Sequence, residues 1–213
     1  MYLPGHFKVE DKGAIHDAMR AYPFATLVTN GADGPFASHL PLLLDGDEGE
    51  FGTLLGHVAK ANRHGRVPDS DEGVALVIFH GPQTYISPSW YESKREHGKV
   101  VPTWNYVAIH AYARIERFDD PVRLHGVLTR LTDRHEAGAK EPWKVTDAPD
   151  AFIQQQMKAI TGLSLRIERI EAKLKLSQNR PEADRRAMVD GLSQSDQPGD
   201  RAVADAMQRV LRD

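Results

Sequence analysis

The sequence predicts a mainly β fold with flanking helices, an antiparallel sheet curled into a barrel or sandwich, and three observations lead there. Short runs rich in Val, Leu, Ile, Thr and Phe recur between residues 24 and 118, separated by polar turns such as NGADG (30–34) and DGDEG (45–49). Turns that short pair neighbouring strands antiparallel. Helical periodicity, by contrast, is confined to the margins: residues 11–22, 121–160 and the last thirteen residues, RAVADAMQRVLRD. Finally, residues 163–176 alternate apolar and polar over a length that only a long strand accommodates.

Taken in order, Asp11 caps a helix with Ile15, Ala18, Met19 and Tyr22 on one face, and Pro23 ends it. Strands are expected at 24–29, 36–44 and 51–55. GHVAKANRHG (56–65) reads as a loop entering a short helix. VALVIFH (74–80) is a nearly continuous apolar run and so a buried strand, followed by strands at 84–87 and 103–118. Pro121 opens a helix carrying Leu124, Val127, Leu128 and Leu131 at i, i+3, i+4, i+7. A second helix starts near Asp150 with Phe152, Ile153, Met157 and Ile160 apolar. In the last strand the alternation slips by one between Ile167 and Ile170, which a β-bulge explains. SQSDQPGD (193–200) reads as a polar linker, and the final helix docks on the body or on a partner, since a helix this short is marginal alone. The expected division is a main domain over 1–192 and a linker plus helix over 193–213.

Composition excludes several functions. A chain of 213 residues with 40% hydrophobic and 27% charged content is of ordinary globular type. No apolar run approaches the ~20 residues that span a bilayer, and MYLPGHFKVEDKG is not a secretory leader. With no cysteine there are no disulfides, thiolate metal sites or cysteine nucleophiles. A cytoplasmic protein without membrane contact is the expectation. Lys+Arg 27 against Asp+Glu 30 gives a net charge of −3, which lacks the basic excess of a dedicated DNA-binding domain. DNA as a partner is thus possible but unsupported by charge; local clusters occur only at Arg123/Arg130/Arg134 and Arg180/Arg185/Arg186. The ten histidines show no metal-ligand spacing, and no nucleophile elbow, Walker loop or dinucleotide fingerprint is present. No catalytic residue is assigned.

The richest stretch is TYISPSWYESKREHGKVVPTWNY (84–106), where Trp90, Trp104, Tyr85, Tyr91 and Tyr106 stand beside small polar or Pro residues. Half-polar aromatic rims suit a planar ligand, though ordinary packing at two strand ends uses the same residues. Thr103, Trp104 and Asn105 offer a hydroxyl, an indole and an amide in succession. In GHVAKAN, Gly56 allows close backbone approach and His57, Lys60 and Asn62 are donors, an anion site if a helix begins there and a solvated first turn if not. Ser38 and His39 are polar side chains in an apolar strand and need partners. KLSQNR (175–180) brings Lys175 and Arg180 to a strand end.

MYLPGHF, PFATLV, ASHLPLLLD, GHVAKAN, GPQTYISPSWY, VPTWNY and KLSQNR, in that order, resemble the PaiB-like family over nearly the whole chain. That family is described as FMN-binding negative transcriptional regulators of bacteria on an FMN-binding split barrel. The resemblance implies an antiparallel split β-barrel, a homodimer and bound FMN. It places His57, Lys60 and Asn62 at the FMN phosphate, and makes KLSQNR a polar lid supplied across the dimer interface. A flavin ring edge would meet Ser38 or His39. The chain departs from the family after Asn62, where ANRHG replaces an Asn-Pro continuation. Three readings are open: an FMN-binding regulator; an FMN-dependent oxidoreductase without direct DNA binding; and a binding module for haem or a deazaflavin.

Overall fold

The structure, a computed structural model, describes residues 1–31, 33–66 and 73–212. Ala32 of the NGADG turn and Asp213 of the last segment lie outside the described residues. The strands are β1 (Lys8–Val9), β2 (Phe24–Gly31), β3 (Gly34–Pro41), β4 (Leu43–Asp45), β5 (Thr53–Ala59), β6 (Ala75–Ile86), β7 (Thr103–Phe118) and β8 (Ile160–Lys175). The helices are α1 (Lys12–Ala21), α2 (Glu92–His97), α3 (Pro121–Glu136), α4 (Asp150–Met157), α5 (Glu182–Ser193) and α6 (Pro198–Arg212). The sheet is antiparallel in every registered pair and runs β3-β2-β6-β7-β8-β5-β4, with β1 beside β8; the path is not closed. Among the described residues no helix is long and apolar enough to cross a membrane.

The chain forms two compact units, and the boundaries fall within α1, β6, β7 and β8. One unit comprises His16–Phe79 and His110–Ile170. Its hairpin β2–β3 pairs from Phe24↔Pro41 to Gly31↔Gly34, and alternation buries Ala25, Leu27 and Thr29. β5 pairs with β8 from Thr53↔Arg166 to Ala59↔Ile160. Helix α3 starts as expected: Asp120 accepts from the Arg123 amide at 2.7 Å, Pro121 fills the first turn, and Leu124, Val127 and Leu131 are buried with Leu43, Leu55, Phe118 and Met157.

The other unit comprises Met1–Ile15, His80–Ile109 and Glu171–Asp213. Its core joins Ile86, Tyr91 and Leu176 to Met188 and Leu192 of α5 and to Val203 and Met207 of α6. Asp184 of α5, itself buried, accepts from the Ser93 amide and hydroxyl at 2.9 and 2.8 Å, which ties α2 to α5.

Several expectations are corrected. Residues 56–59 are strand, not a loop entering a helix, and Gly56 serves there as a packing residue: a Cβ would lie 2.8 Å from Leu42 Cδ2 and 3.2 Å from the Pro41 carbonyl. Beyond β5 the chain makes one 3-10 turn, Arg63–Gly65, capped by Asn62, whose side chain accepts from the His64 amide at 2.9 Å. The strands at 74–80 and 84–87 are one strand, β6. The strand at 36–44 breaks at Leu42. The linker at 193–200 shrinks to 194–197, because α5 reaches Ser193 and α6 begins at Pro198. The phase slip in β8 shows as two successive exposed residues, Glu168 and Arg169.

Candidate functional site

The unit built on β2, β3 and β5 holds a buried polar cluster around His64, which is 0% exposed. Its Nε2 faces Thr29 Oγ1 at 3.0 Å and its Nδ1 faces Ser38 Oγ at 2.9 Å. Ser38 Oγ also accepts from Asn62 Nδ2 at 2.9 Å. Phe36 covers the ring at 4.8 Å between centroids, and Arg117 Nε donates to the His64 carbonyl at 2.6 Å. Burial, aided by the Arg117 and Arg63 charges, lowers the His64 pKa to about 4, so the ring is neutral at neutral pH. Ser38 and Asn62 thus meet each other, with His64 as the member the sequence reading missed. An Asn two residues before a His in a short turn was the available signal.

The remaining expected residues of this unit are dispersed. His39 is exposed, with Nδ1 3.0 Å from Thr26 Oγ1 and its ring stacked on Phe24. Lys60 Nζ is 3.3 Å from Asp119 Oδ2, and Asp119 also accepts from Thr161 Oγ1 at 3.0 Å. His57 lines a cavity of about 330 Å³ with Leu128, Trp143, Ile153 and Met157. Its Nδ1 is buried without a partner, and burial lowers its pKa. His57, Lys60 and Asn62 therefore have separate surroundings, and no helix N-terminus joins them.

In the other unit Thr103, Asn105, Lys175 and Arg180 line one cavity of about 160 Å³ together with Ser177 and Asn179. Lys175 Nζ donates to Thr103 Oγ1 and to the Trp104 carbonyl. Burial first, then the charges of Lys173 and Arg180, lower the Lys175 pKa. Asn105 is 0% exposed; its Oδ1 accepts from Ser177 Oγ at 3.0 Å and its Nδ2 faces Met207 Sδ at 3.3 Å. Ser177 holds a left-handed φ of +64°, which a non-glycine residue adopts only when its surroundings demand it. The Trp104 indole is 53% exposed and packs edge-on against Tyr85 at 6.4 Å.

The basic clusters are engaged within the chain. Arg123 pairs with Glu116, Arg130 with Asp45, and Arg134 donates to the Arg20 carbonyl. Arg186 pairs with Glu182, Arg185 donates to the Val210 carbonyl, and Arg180 lies over the Tyr91 ring.

Residues 1–169 match the family described as "Putative FMN-binding domain". The chain is 33% identical over 212 residues to the protease synthase and sporulation protein PAI 2 of Bacillus subtilis, covering 100% of this chain and 99% of that one. Among solved structures, an FAD and heme binding protein from Mycobacterium smegmatis superposes with a TM-score of 0.58 at 18% identity, over 79% of this chain and 73% of that one. A flavocytochrome from Azotobacter vinelandii gives 0.58 at 15% identity, over 79% and 69%. These two likenesses concern the fold, that of split-barrel flavin-binding proteins.

Proposed function

Because the chain belongs to the FMN-binding family that its residues 1–169 match, together with the Bacillus PAI 2 protein, we propose that it is a homodimeric flavoprotein whose FMN state is read out as a negative effect on transcription without direct DNA binding. The observation that carries the flavin reading is the cavity lined by the hydroxyl, amide and cationic groups of Thr103, Asn105, Lys175 and Arg180, on the strand that also exposes the Trp104 indole. An apolar face next to polar donors matches a flavin, which is flat and apolar in its middle and polar at its rim. Thr103 and Trp104 orient the ring system, and Lys175 and Arg180 supply positive charge. When bound, FMN supplies reversible redox chemistry, while the protein supplies position and exclusion of water.

Indirect action on transcription is supported by the charges. The net charge of −3 gives no long-range attraction to a polyanion. The short α5–α6 link is compatible with a helix-turn-helix spacing, but the exposed residues of α6 mix Arg201, Asp205 and Arg209, and both arginine clusters already have partners.

The test is an absorbance spectrum of the purified protein after addition of FMN, light scattering for mass, and anisotropy with duplex DNA at two salt concentrations. Bound flavin, a dimer and only weak, salt-sensitive DNA binding are expected. Nanomolar, sequence-selective binding lost on reversing Arg185 and Arg186 would refute the indirect route, and absence of flavin binding would refute the flavin reading.

A further inference from the structure

The end of β8 and the loop after it bring three cations together, Lys173, Lys175 and Arg180. Lys173 and Lys175 are two residues apart on a strand and so share a face. Lys173 is 6% exposed; its Nζ donates to the Tyr2 carbonyl at 3.1 Å and lies 5.3 Å from the Tyr106 ring centre. Lys175 bonds to the Thr103 hydroxyl and the Trp104 carbonyl, and Arg180 sits 5.1 Å over Tyr91. Every one of these partners is neutral. Lys60, Arg123, Arg130 and Arg186, by contrast, all meet a carboxylate.

The loop beyond the strand is built to hold this arrangement. Leu176 N donates to Gln178 Oε1 at 2.8 Å, Gln178 Nε2 returns to the Leu174 carbonyl at 2.6 Å, and Arg180 N closes on the Ser177 carbonyl at 3.0 Å. Ser177 accepts a left-handed backbone and is clamped to buried Asn105. The cavity so framed has about 160 Å³ and no acidic residue in its lining. That is room for a phosphate group and some water, not for a three-ring system. Partly buried like charges repel one another, and an arriving anion removes that repulsion as well as forming charge-assisted hydrogen bonds.

We infer that this cavity is an anion site for a phosphate monoester, held by Lys175 and Arg180 with Thr103 and Asn179 beside them. If the phosphate is that of FMN, the inference rests on the flavin reading above and moves the phosphate away from Lys60, which is paired with Asp119. The other source is a separate phosphorylated ligand, and the two are distinguished experimentally.

FMN and riboflavin are titrated calorimetrically into the wild-type chain and into Lys175→Ala, Arg180→Ala, Arg180→Lys and Lys60→Ala, each checked for its circular dichroism. Inorganic phosphate is titrated calorimetrically in parallel. With the cofactor as source, both alanine variants lose about 10- to 100-fold in FMN affinity while riboflavin is unchanged; Arg180→Lys loses less, and Lys60→Ala changes neither. With a separate ligand as source, FMN binding is unaffected but phosphate binds the wild type and not the alanine variants. Equal losses for FMN and riboflavin, an FMN-selective loss in Lys60→Ala alone, or wild-type behaviour toward FMN and phosphate in every variant would overturn the inference. A wild type that binds neither flavin sinks the flavin reading, and the phosphate arm then decides the cavity by itself.

Discussion

His64 makes the stability of its unit depend on pH in a calculable way. Its neutral ring is satisfied by two hydroxyls, each of which donates or accepts as needed. The charged ring would donate from both nitrogens, so both hydroxyls would have to act as acceptors toward it. Burial disfavours the charged ring most, and Arg117 and Arg63 add repulsion. The folded pKa of about 4 lies below the ordinary 6.5, so between these values the unfolded chain binds more protons. Stability is therefore full above pH 6.5, falls as pH drops toward 4, and levels off below. At ~1.4 kcal/mol per pH unit, lowering the pH from about 7 to about 4.5 removes about 2.5 kcal/mol. Other groups titrate over the same range, so the measurement is a difference: urea unfolding of wild type and of His64→Gln at both pH values, with the ring pKa followed by NMR. The variant, though less stable, should lose about 2.5 kcal/mol less on acidification. A ring titrating near 6.5, or parallel pH profiles for the two proteins, would refute the reasoning.

Tyr91→Phe removes a buried hydroxyl with no partner and keeps the ring under Arg180, so unfolding should show no loss of stability and up to about 1 kcal/mol of gain. Gly162→Ala would place a methyl 2.3 Å from the Phe118 ring inside the α3 core, and chemical denaturation should report a loss of about 1–3 kcal/mol. Lys60→Ala breaks only an exposed pair with Asp119, and its melting should differ from wild type by less than about 1 kcal/mol.

Where the sequence was legible, a local rule and the tertiary context agreed. β7 spans 103–118 as read, bounded by Pro102 and by the Asp120–Pro121 helix start. α1 begins where the Asp11 cap places it, with Asp11 Oδ1 2.6 Å from the Ala14 amide. Two Gly and Pro signals misled. The expected break between strands at 74–80 and 84–87 spans Gly81–Pro82, but β2 pairs only with Leu76–Phe79 of β6, so Pro82 lies beyond that ladder and its missing N–H leaves no gap there. Gly56 reads as a loop glycine and is instead a packing glycine. The candidate site was half legible: TWN and KLSQNR lie together, while Lys173 was overlooked among apolar neighbours although it sits two residues before Lys175 on the same strand. At His57, Lys60 and Asn62 the helix start that the residues suggest is a 3-10 turn, Arg63–Gly65, with the Asn62 side chain accepting from the His64 amide.

Ser177 sets a narrow alphabet at its position. Its backbone favours glycine or asparagine over any branched side chain, but its hydroxyl is what anchors the Asn105 amide. Substitutions there should split by what they preserve. Glycine relaxes the chain and releases Asn105, leaving a stable loop with an imprecise edge. Valine or threonine opposes the turn itself and displaces Asn179 and Arg180 with it. A saturation scan at this one residue would therefore separate tolerance for folding from tolerance for anion recognition, with serine alone scoring well on both.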